Sequence, residues 1–476
     1  MEKLFKLQSH GTTVSREALS GLTTFLTLSY ILFVNPVVMS HGGMPLEGAF
    51  VATVLAAAFC TIFMAFAANV PLAMAPGMGL NTFIAYTVCG ALGYDWREAL
   101  ALCFLAGLLH ILIMVTPLRK SLVNAIPKHL KLAFGVGLGL FIAYTGLKGG
   151  GLLTFLLPAG EYSITIDGSI IGSSAAVPGF VGSLGNYEIV ALIGLAVMII
   201  LLAFERKTGD SYAALPMGIV AGAAVGIPLE VTDPIGAQFF DLSSIGALGE
   251  VFASFLGRPG LMSLFDGQER FFLSLLVILI VLLISATDSV GTIMGIGQIK
   301  DAEIFGQEDM EKFAVSSHES RLDKSLMVNS VGGAVAAVFG TSTTTSYMES
   351  VTGIVAGGRT GLSALTVGAL FLLCLPFSGV FGIIPPAAIA PALIVAGALM
   401  MPMVSRIHWS RFEESLPAFM VILCIPLTYS FVYGIAAGIL SHVLIQLALG
   451  RWRRVHPILY IVALIFLLVL GCSEYI

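Results

Sequence analysis

Residues 340–354 read GTSTTTSYMESVTGI, and residues 71–90 read PLAMAPGMGLNTFIAYTVCG. The first sets six hydroxyl residues, Thr341 to Ser346, just before an acid, Glu349, with apolar segments on both sides. Gly340 and the β-branched threonines favour extended backbone, and helix is expected to resume between Tyr347 and Ser350. In the second, Pro71, Pro76, Gly77 and Gly79 interrupt helix before Asn81, Thr82 and Phe83 restart it. Each stretch is therefore expected to be half strand and half helix.

The chain around them is 57% hydrophobic and 11% charged, with a mean hydropathy of +0.97. Those values lie outside the range of water-soluble domains and describe a polytopic membrane protein. A hydrocarbon layer of roughly 30 Å needs about 20 apolar residues per helix. Such segments fall near 17–40, 47–68, 70–90, 98–117, 130–147, 186–204 and 211–229, then near 271–298, 326–340, 341–356, 361–381, 383–403, 415–430 and 431–450. A further apolar stretch, 457–471, leaves the topology of the C-terminus open. Residues 1–16 hold no apolar h-region, so no removable signal peptide is expected there. With the N-terminus in the cytoplasm of an inner-membrane protein, nineteen of the 23 Lys and Arg fall on inside segments. The other four, Arg97, Lys148, Arg258 and Arg270, fall outside, which supports both the segmentation and the orientation.

Two sets of seven segments imply halves inserted with opposite orientation, the inverted repeat common among transporters. The two broken stretches occupy the third position of each set, where such proteins place their substrate site. Irregular backbone survives at membrane depth only where protein or a water-filled cavity satisfies it, so the two stretches are expected to cross at the midplane and pair as a short sheet. The expected fold is thus all-α and polytopic, with about 14 transmembrane helices in a seven-plus-seven inverted repeat and two half-strand, half-helix segments crossing at its centre. Hydroxyl side chains suit that place, because they satisfy broken backbone and line a polar cavity without adding charge.

Acids mark the functional positions. A carboxylate at the centre of a membrane helix costs about 2.5–3.5 kcal/mol on insertion scales, so it needs a task. Glu17, Glu47, Glu98, Glu188, Glu205 and Asp210 fall at expected helix ends, where water is expected to reach them. Asp288, in VLLISATDSVGTIMGIG, and Glu349 fall deep within their segments, and no deep Lys or Arg accompanies them. His110 and His442 lie in apolar helices and are read as packed or interhelical bonding groups. The six cysteines lie in or beside apolar stretches without CxxC pairing, so no metal site or disulfide is expected. Two acids, hydroxyls, an Asn and an aromatic ring suit a neutral planar heterocycle, whose N–H groups donate to carboxylates while its ring nitrogens accept from hydroxyls and backbone N–H. Phe83 is placed to stack on such a ring.

At these residues the chain resembles the nucleobase-ascorbate transporter superfamily, and most closely its adenine/guanine/hypoxanthine permease branch. The resemblance covers almost the whole chain. It rests on GLTTFLTLSYILFVNP at 21–36, APGMGLNTFIAYTVC at 75–89, ATDSVGTIMGIG at 286–297, GTSTTTSYMESVTGIVAGGRTGLSAL at 340–365 and the HP at 456–457. It implies a core domain of helices 1–4 and 8–11, within 17–147 and 271–381, against a gate domain within 130–229 and 383–450. It also implies uptake of purine bases, adenine, guanine or hypoxanthine, by proton symport with alternating access. Asp288 and Glu349 then resemble the pair that binds the base and handles the proton. Asn81 resembles a polar contact, Thr82 and Phe83 continue its half-helix, and Thr341, Ser342, Thr343 and Thr344 resemble the strand beside the pocket. The acid of the eighth segment is Asp rather than the Glu of the uracil and xanthine branches, which favours the adenine/guanine/hypoxanthine branch without fixing which purine.

No cofactor is expected beyond the coupling proton. The expected partners are a small purine base, membrane lipid and a second copy of the chain, with no nucleic acid. A carrier of another nucleobase, xanthine or uracil, or an anion transporter of the same fold, is the alternative, and the two acids oppose an anion. An enzyme is disfavoured because HExxH, GxSxG and GxxxxGK[ST] are absent. GVGLG at 135–139 lies in an apolar span and reads as a close-packing surface. The charged loop from Lys300 to Lys324 reads as a solvated connection.

Overall fold

The computed structural model describes residues 2–116, 127–156, 164–166, 169–172, 177–182, 184–208, 214–233, 246–264, 266, 268–297, 304–305, 309, 320–347, 349–377, 383–428 and 431–472. Most of the loop from Lys300 to Lys324 lies outside the described residues. The first half runs through α1 (Val14–Leu28), α2 (Ile31–His41), α3 (Leu46–Ala67), β1 (Met74–Pro76), α4 (Met78–Thr82), a π-helix (Phe83–Ala91), α5 (Trp96–Val115) and α6 (Lys128–Gly149). Four short strands follow, β2 (Leu153–Leu156), β3 (Ile164–Ile166), β4 (Ser169–Gly172) and β5 (Val177–Phe180), then α7 (Asn186–Thr208) and α8 (Ala214–Gly226). The second half runs through α9 (Gln268–Gly297), α10 (Arg321–Phe339), β6 (Thr344–Ser346), α11 (Ser350–Val355), α12 (Gly361–Leu373), α13 (Pro386–Leu399), α14 (Phe412–Leu427), α15 (Phe431–Ala448) and α16 (Pro457–Cys472).

Every apolar segment expected from the sequence holds a helix or a strand with a helix. Six described helical stretches are long and apolar enough to cross a membrane, among them Leu46–Ala67 and Lys128–Gly149, and four shorter apolar helices accompany them. The protein is an integral membrane protein. The apolar stretch at 457–471 forms one helix, α16, which packs on α15 and α9. The first expected segment bends, because α1 ends at Leu28 and α2 starts at Ile31. The strands between residues 153 and 180 form two antiparallel pairs, β2–β5 and β3–β4, which the helical reading did not anticipate. Their β-branched and aromatic residues suit extended backbone outside the helices.

The centre follows the expected crossing. Strands β1 and β6 pair antiparallel, with Met74 opposite Ser346, Ala75 opposite Thr345 and Pro76 opposite Thr344. The ladder extends beyond them through Gly77 N–H to Thr343 O and Tyr347 N–H to Ala73 O, both at 3.0 Å. Met74 and Ser346 therefore face each other without exchanging bonds, and their N–H groups point away from the partner strand. In lipid, such outward groups need protein partners. Thr61 on α3 supplies one, its hydroxyl lying 2.9 Å from Met74 N and 2.8 Å from Met74 O. Asn329 on α10 supplies the other, its Oδ1 accepting from Ser346 N at 2.8 Å and from Ser346 Oγ at 3.1 Å. In each half, the helix preceding the strand closes that strand's outer edge.

Small residues allow this crowding. Gly340 ends α10 at φ +95°, a left-handed conformation, and a Cβ there would lie 2.7 Å from the Val251 side chain. A Cβ on Gly107 of α5 would lie 2.6 Å from the Ala334 backbone, so α5 and α10 meet almost backbone to backbone.

Two acids expected in water are buried instead. Glu17 of α1 is 0% exposed. It accepts from the N–H groups of Arg359 at 2.8 Å, Thr360 at 3.2 Å and Ser363 at 3.1 Å, and from the Ser363 hydroxyl, so it caps the start of α12. Glu98 is 3% exposed. It accepts from Asp95 N in a capping box and from Arg270 at 3.0 Å. Orphan N–H groups at a helix start attract a carboxylate strongly enough to draw it out of water. Each contact joins the first helix of one half to a helix start in the other: Glu17 of α1 accepts from N–H groups at the start of α12, and Arg270 of α9 pairs with Glu98 at the start of α5.

Candidate functional site

The bend between α1 and α2, the middle of α9 and the start of α11 meet beside the β1–β6 crossing. Asp288 stands midway along α9 and is hydrogen-bonded to the side chain of Thr345 in β6. Its side chain is accessible, although Ser285 and Ser289 on the same helix and Thr345 itself are buried. It therefore faces an open space at the crossing rather than packed protein. Glu349 lies at the end of the extended stretch, immediately before α11, and is partly buried. Asp288 lies within its electrostatic reach.

Tyr30, at the α1–α2 bend, donates its hydroxyl to Glu349 Oε1 at 3.0 Å and is 3% exposed. Tyr347, next to β6, donates its hydroxyl to the Pro76 carbonyl and is 8% exposed. Neither tyrosine was singled out from the sequence. A repeated dipeptide could have marked them, since Ser29-Tyr30 and Ser346-Tyr347 both close the break in a span. Glu349 thus has a neutral hydroxyl donor as its partner, and no described salt bridge reaches it or Asp288. The π-helix that follows α4 was also not foreseen; wide turns of this kind concentrate at functional sites.

The remaining expected site residues form a dry knot beneath the two acids. Asn81 is 0% exposed, donates to Asn35 Oδ1 and accepts from the Ser342 hydroxyl. Asn35 donates in turn to Thr53 at 2.7 Å and Thr341 at 3.3 Å. Thr82 bonds back to Met78 O and Gly79 O, and Thr344 donates to Cys60 Sγ at 3.5 Å. Thr343 is 1% exposed with its hydroxyl unpartnered among the described residues. Phe83 is 0% exposed within the apolar core, so its ring offers no open face to a ligand. Of the expected contacts, the structure brings together Asp288 and Glu349 at an accessible surface, and it places Asn81, Thr82, Phe83, Thr341, Ser342 and Thr344 in the supporting interior.

A second polar chain lies at the other end of the β6 stretch. Asn329 donates to the Ser289 hydroxyl, Ser289 donates to Ser285 O, and Ser285 lies 3.4 Å from His110 Nδ1. His110 is thereby an interhelical bonding group between α5 and α9. The β6 stretch is consequently tied by asparagine at both ends: Asn35 and Asn81 reach Thr341 and Ser342 before it, and Asn329 holds Ser346 at its close.

A sequence model of a family described as a permease family matches residues 15–437. The chain belongs to this family, the nucleobase-ascorbate transporters. That membership places it among permeases rather than enzymes. It is 35% identical to the guanine/hypoxanthine permease PbuO of Bacillus subtilis, covering 97% of this chain and 98% of that one. It is also 35% identical to the adenine permease AdeQ of Escherichia coli, covering 98% and 95%. Among solved structures, the transmembrane domain of a cyanobacterial bicarbonate transporter, BicA, superposes with a TM-score of 0.54 at 16% identity, over 89% of this chain and 97% of that one. SLC26A9 superposes with a TM-score of 0.59 at 11% identity, over 92% and 66%. Those two likenesses establish a shared transporter fold and nothing about the ligand.

Proposed function

We propose that this permease imports purine nucleobases, adenine, guanine or hypoxanthine, by proton symport with alternating access. One observation carries the reading: two carboxylates, Asp288 and Glu349, converge on one accessible space beside crossed strands, and among the described residues the side-chain hydrogen bond to Glu349 comes from a neutral tyrosine. Carboxylates held this way present acceptors to the ring and exocyclic N–H groups of a purine. The curated relatives named for guanine, hypoxanthine and adenine support the same class of ligand. An anion would meet two carboxylates at this site, which weighs against the chemistry of the structural neighbours despite the common fold.

Coupling follows from the charge of the site. Two acids facing one space repel each other when both are ionised, so a site that binds the base best in one protonation state makes proton and base co-occupants. Motion of the core segments, 17–147 and 271–381, against the gate segments then exposes the loaded site to the other side. The distribution of Lys and Arg supports an N-terminus in the cytoplasm.

The test is uptake of labelled adenine into permease-deficient cells, challenged with unlabelled guanine, hypoxanthine, xanthine and uracil. Guanine or hypoxanthine is expected to compete, and xanthine and uracil are not. Glu349→Gln and Asp288→Asn are expected to insert normally and lose binding, and a protonophore is expected to suppress uptake. Wild-type affinity in Glu349→Gln would remove that acid from the site, and uptake indifferent to the protonophore would reject proton coupling while leaving transport intact.

A further inference from the structure

We propose that the C-terminal end of the second half holds a binding site for a phosphate ester, separate from the acids at the crossed strands. A half-open cavity of about 460 Å³ lies between the end of α15, the turn after it and the start of α16; His442, Gln446, Arg453, Arg454 and His456 are on its wall. That volume falls within the roughly 300–1,000 Å³ of small-molecule sites and is larger than a bare inorganic ion requires.

Three features assign its chemistry. First, Arg453 and Arg454 are exposed at its rim, and no described salt bridge engages either guanidinium. Arg453 lies over the Trp452 ring at 5.0 Å, which steadies the guanidinium while leaving its N–H fork free. The neighbouring carboxylates are already neutralised, Glu413 by Arg451 at 3.1 Å and Glu414 by Arg411 at 3.1 Å and His408 at 3.2 Å. Second, α16 is 16 residues long and begins at Pro457 on the cavity wall, so its positive end faces the same space.

Third, the floor is polar and incomplete. His442 and Gln446 stand one turn apart on α15 and are 6% and 8% exposed, and His442 Nδ1 and Gln446 Oε1 have no partner among the described residues. The His129 ring lies against His442 with centroids 5.0 Å apart, and its Nε2 likewise has no partner among the described residues. Buried polar atoms are paired in more than about nine cases in ten, so a cluster left open beside a cavity points to a ligand. Guanidinium forks select phosphate. An unpartnered amide oxygen beside them selects a hydroxyl or N–H on the body that carries the phosphate.

Two sources share that chemistry, a soluble sugar phosphate and the headgroup of an anionic glycerophospholipid. The purified full-length chain in phosphatidylcholine nanodiscs is titrated calorimetrically with ribose 5-phosphate, which has no base to engage the crossed-strand site. In parallel, native mass spectrometry follows phosphatidylglycerol retained from mixed bilayers. Saturable binding of ribose 5-phosphate, weakened about tenfold for each guanidinium removed in R453A/R454A, identifies a soluble ligand. Retention of phosphatidylglycerol by the wild type and its loss in R453A/R454A, without sugar-phosphate binding, identifies a headgroup. Gln446→Leu provides a second reading with both arginines in place, and a wild-type thermal melt certifies the fold of each variant. Binding of neither probe, or binding unchanged in both variants, overturns the proposal.

Discussion

Replacing Asn81 with alanine separates a ligand contact from a structural tie. The Asn81 amide is fully buried and serves two partners, Asn35 Oδ1 and the Ser342 hydroxyl. Its removal leaves both orphaned in a dry interior, and each orphan costs about 1–3 kcal/mol. The expected loss is therefore about 2–6 kcal/mol, a large share of the roughly 5–15 kcal/mol that holds a native protein together. Thermal unfolding in nanodiscs is the assay, run beside equilibrium purine binding. Asn81→Ala is expected to lower the melting transition sharply and to weaken binding only through loss of folded protein. The Asn81→Ala/Ser342→Ala double variant removes both ends of one bond and is expected to lose less than the sum of the single variants, with a coupling of about 1–3 kcal/mol. Additivity within about 0.5 kcal/mol would refute the knot. So would an Asn81→Ala protein that melts like the wild type and has lost only its affinity for the base, which is how a direct ligand contact behaves.

Tyr30→Phe removes the hydroxyl that donates to Glu349 at 3.0 Å and keeps the ring; a bond of this kind to a charged group contributes about 1.5–3 kcal/mol, so purine affinity should fall about tenfold or more with the fold intact. Unchanged affinity would take Tyr30 out of the site. Glu17→Ala strips the buried acceptor from three N–H groups at the start of α12 and should reduce the yield of folded protein, whereas Glu47→Ala, at an open helix start, should not; equal yields of the two would contradict the capping role. Thr61→Val and Asn329→Leu each unpair the outer edge of one central strand, and each should destabilise by about 1–3 kcal/mol. A large loss in one and none in the other would show that the two halves do not close their strands by equivalent means.

Much of the fold is legible because its signals are local. Pro71, Pro76 and Gly77 stop a helix wherever they are placed, and a run of threonines disfavours one, so both interrupted spans can be located without any knowledge of their neighbours. Asp288 and Glu349 stand out for a similar reason, since a carboxylate deep in an apolar segment is costly regardless of what surrounds it. The strands between residues 153 and 180 were missed because segments of three or four residues carry little signal between long apolar runs. The π-helix at Phe83–Ala91 was missed because its composition is that of any apolar helix.

What the amino-acid order determined by itself was the number and place of the apolar segments, the two breaks, and the two acids that no buried base accompanies. Only the tertiary structure decided what each polar side chain meets. Glu17 finds its helix start 346 residues along the chain at Ser363, Tyr30 meets Glu349 across 319 residues, and Asn81 turns toward Asn35 and Ser342 instead of toward open space. Periodicity and residue type state the cost of leaving such groups unpaired. Which partner relieves that cost depends on which helices the fold brings together, and that is a property of packing between segments far apart in the chain.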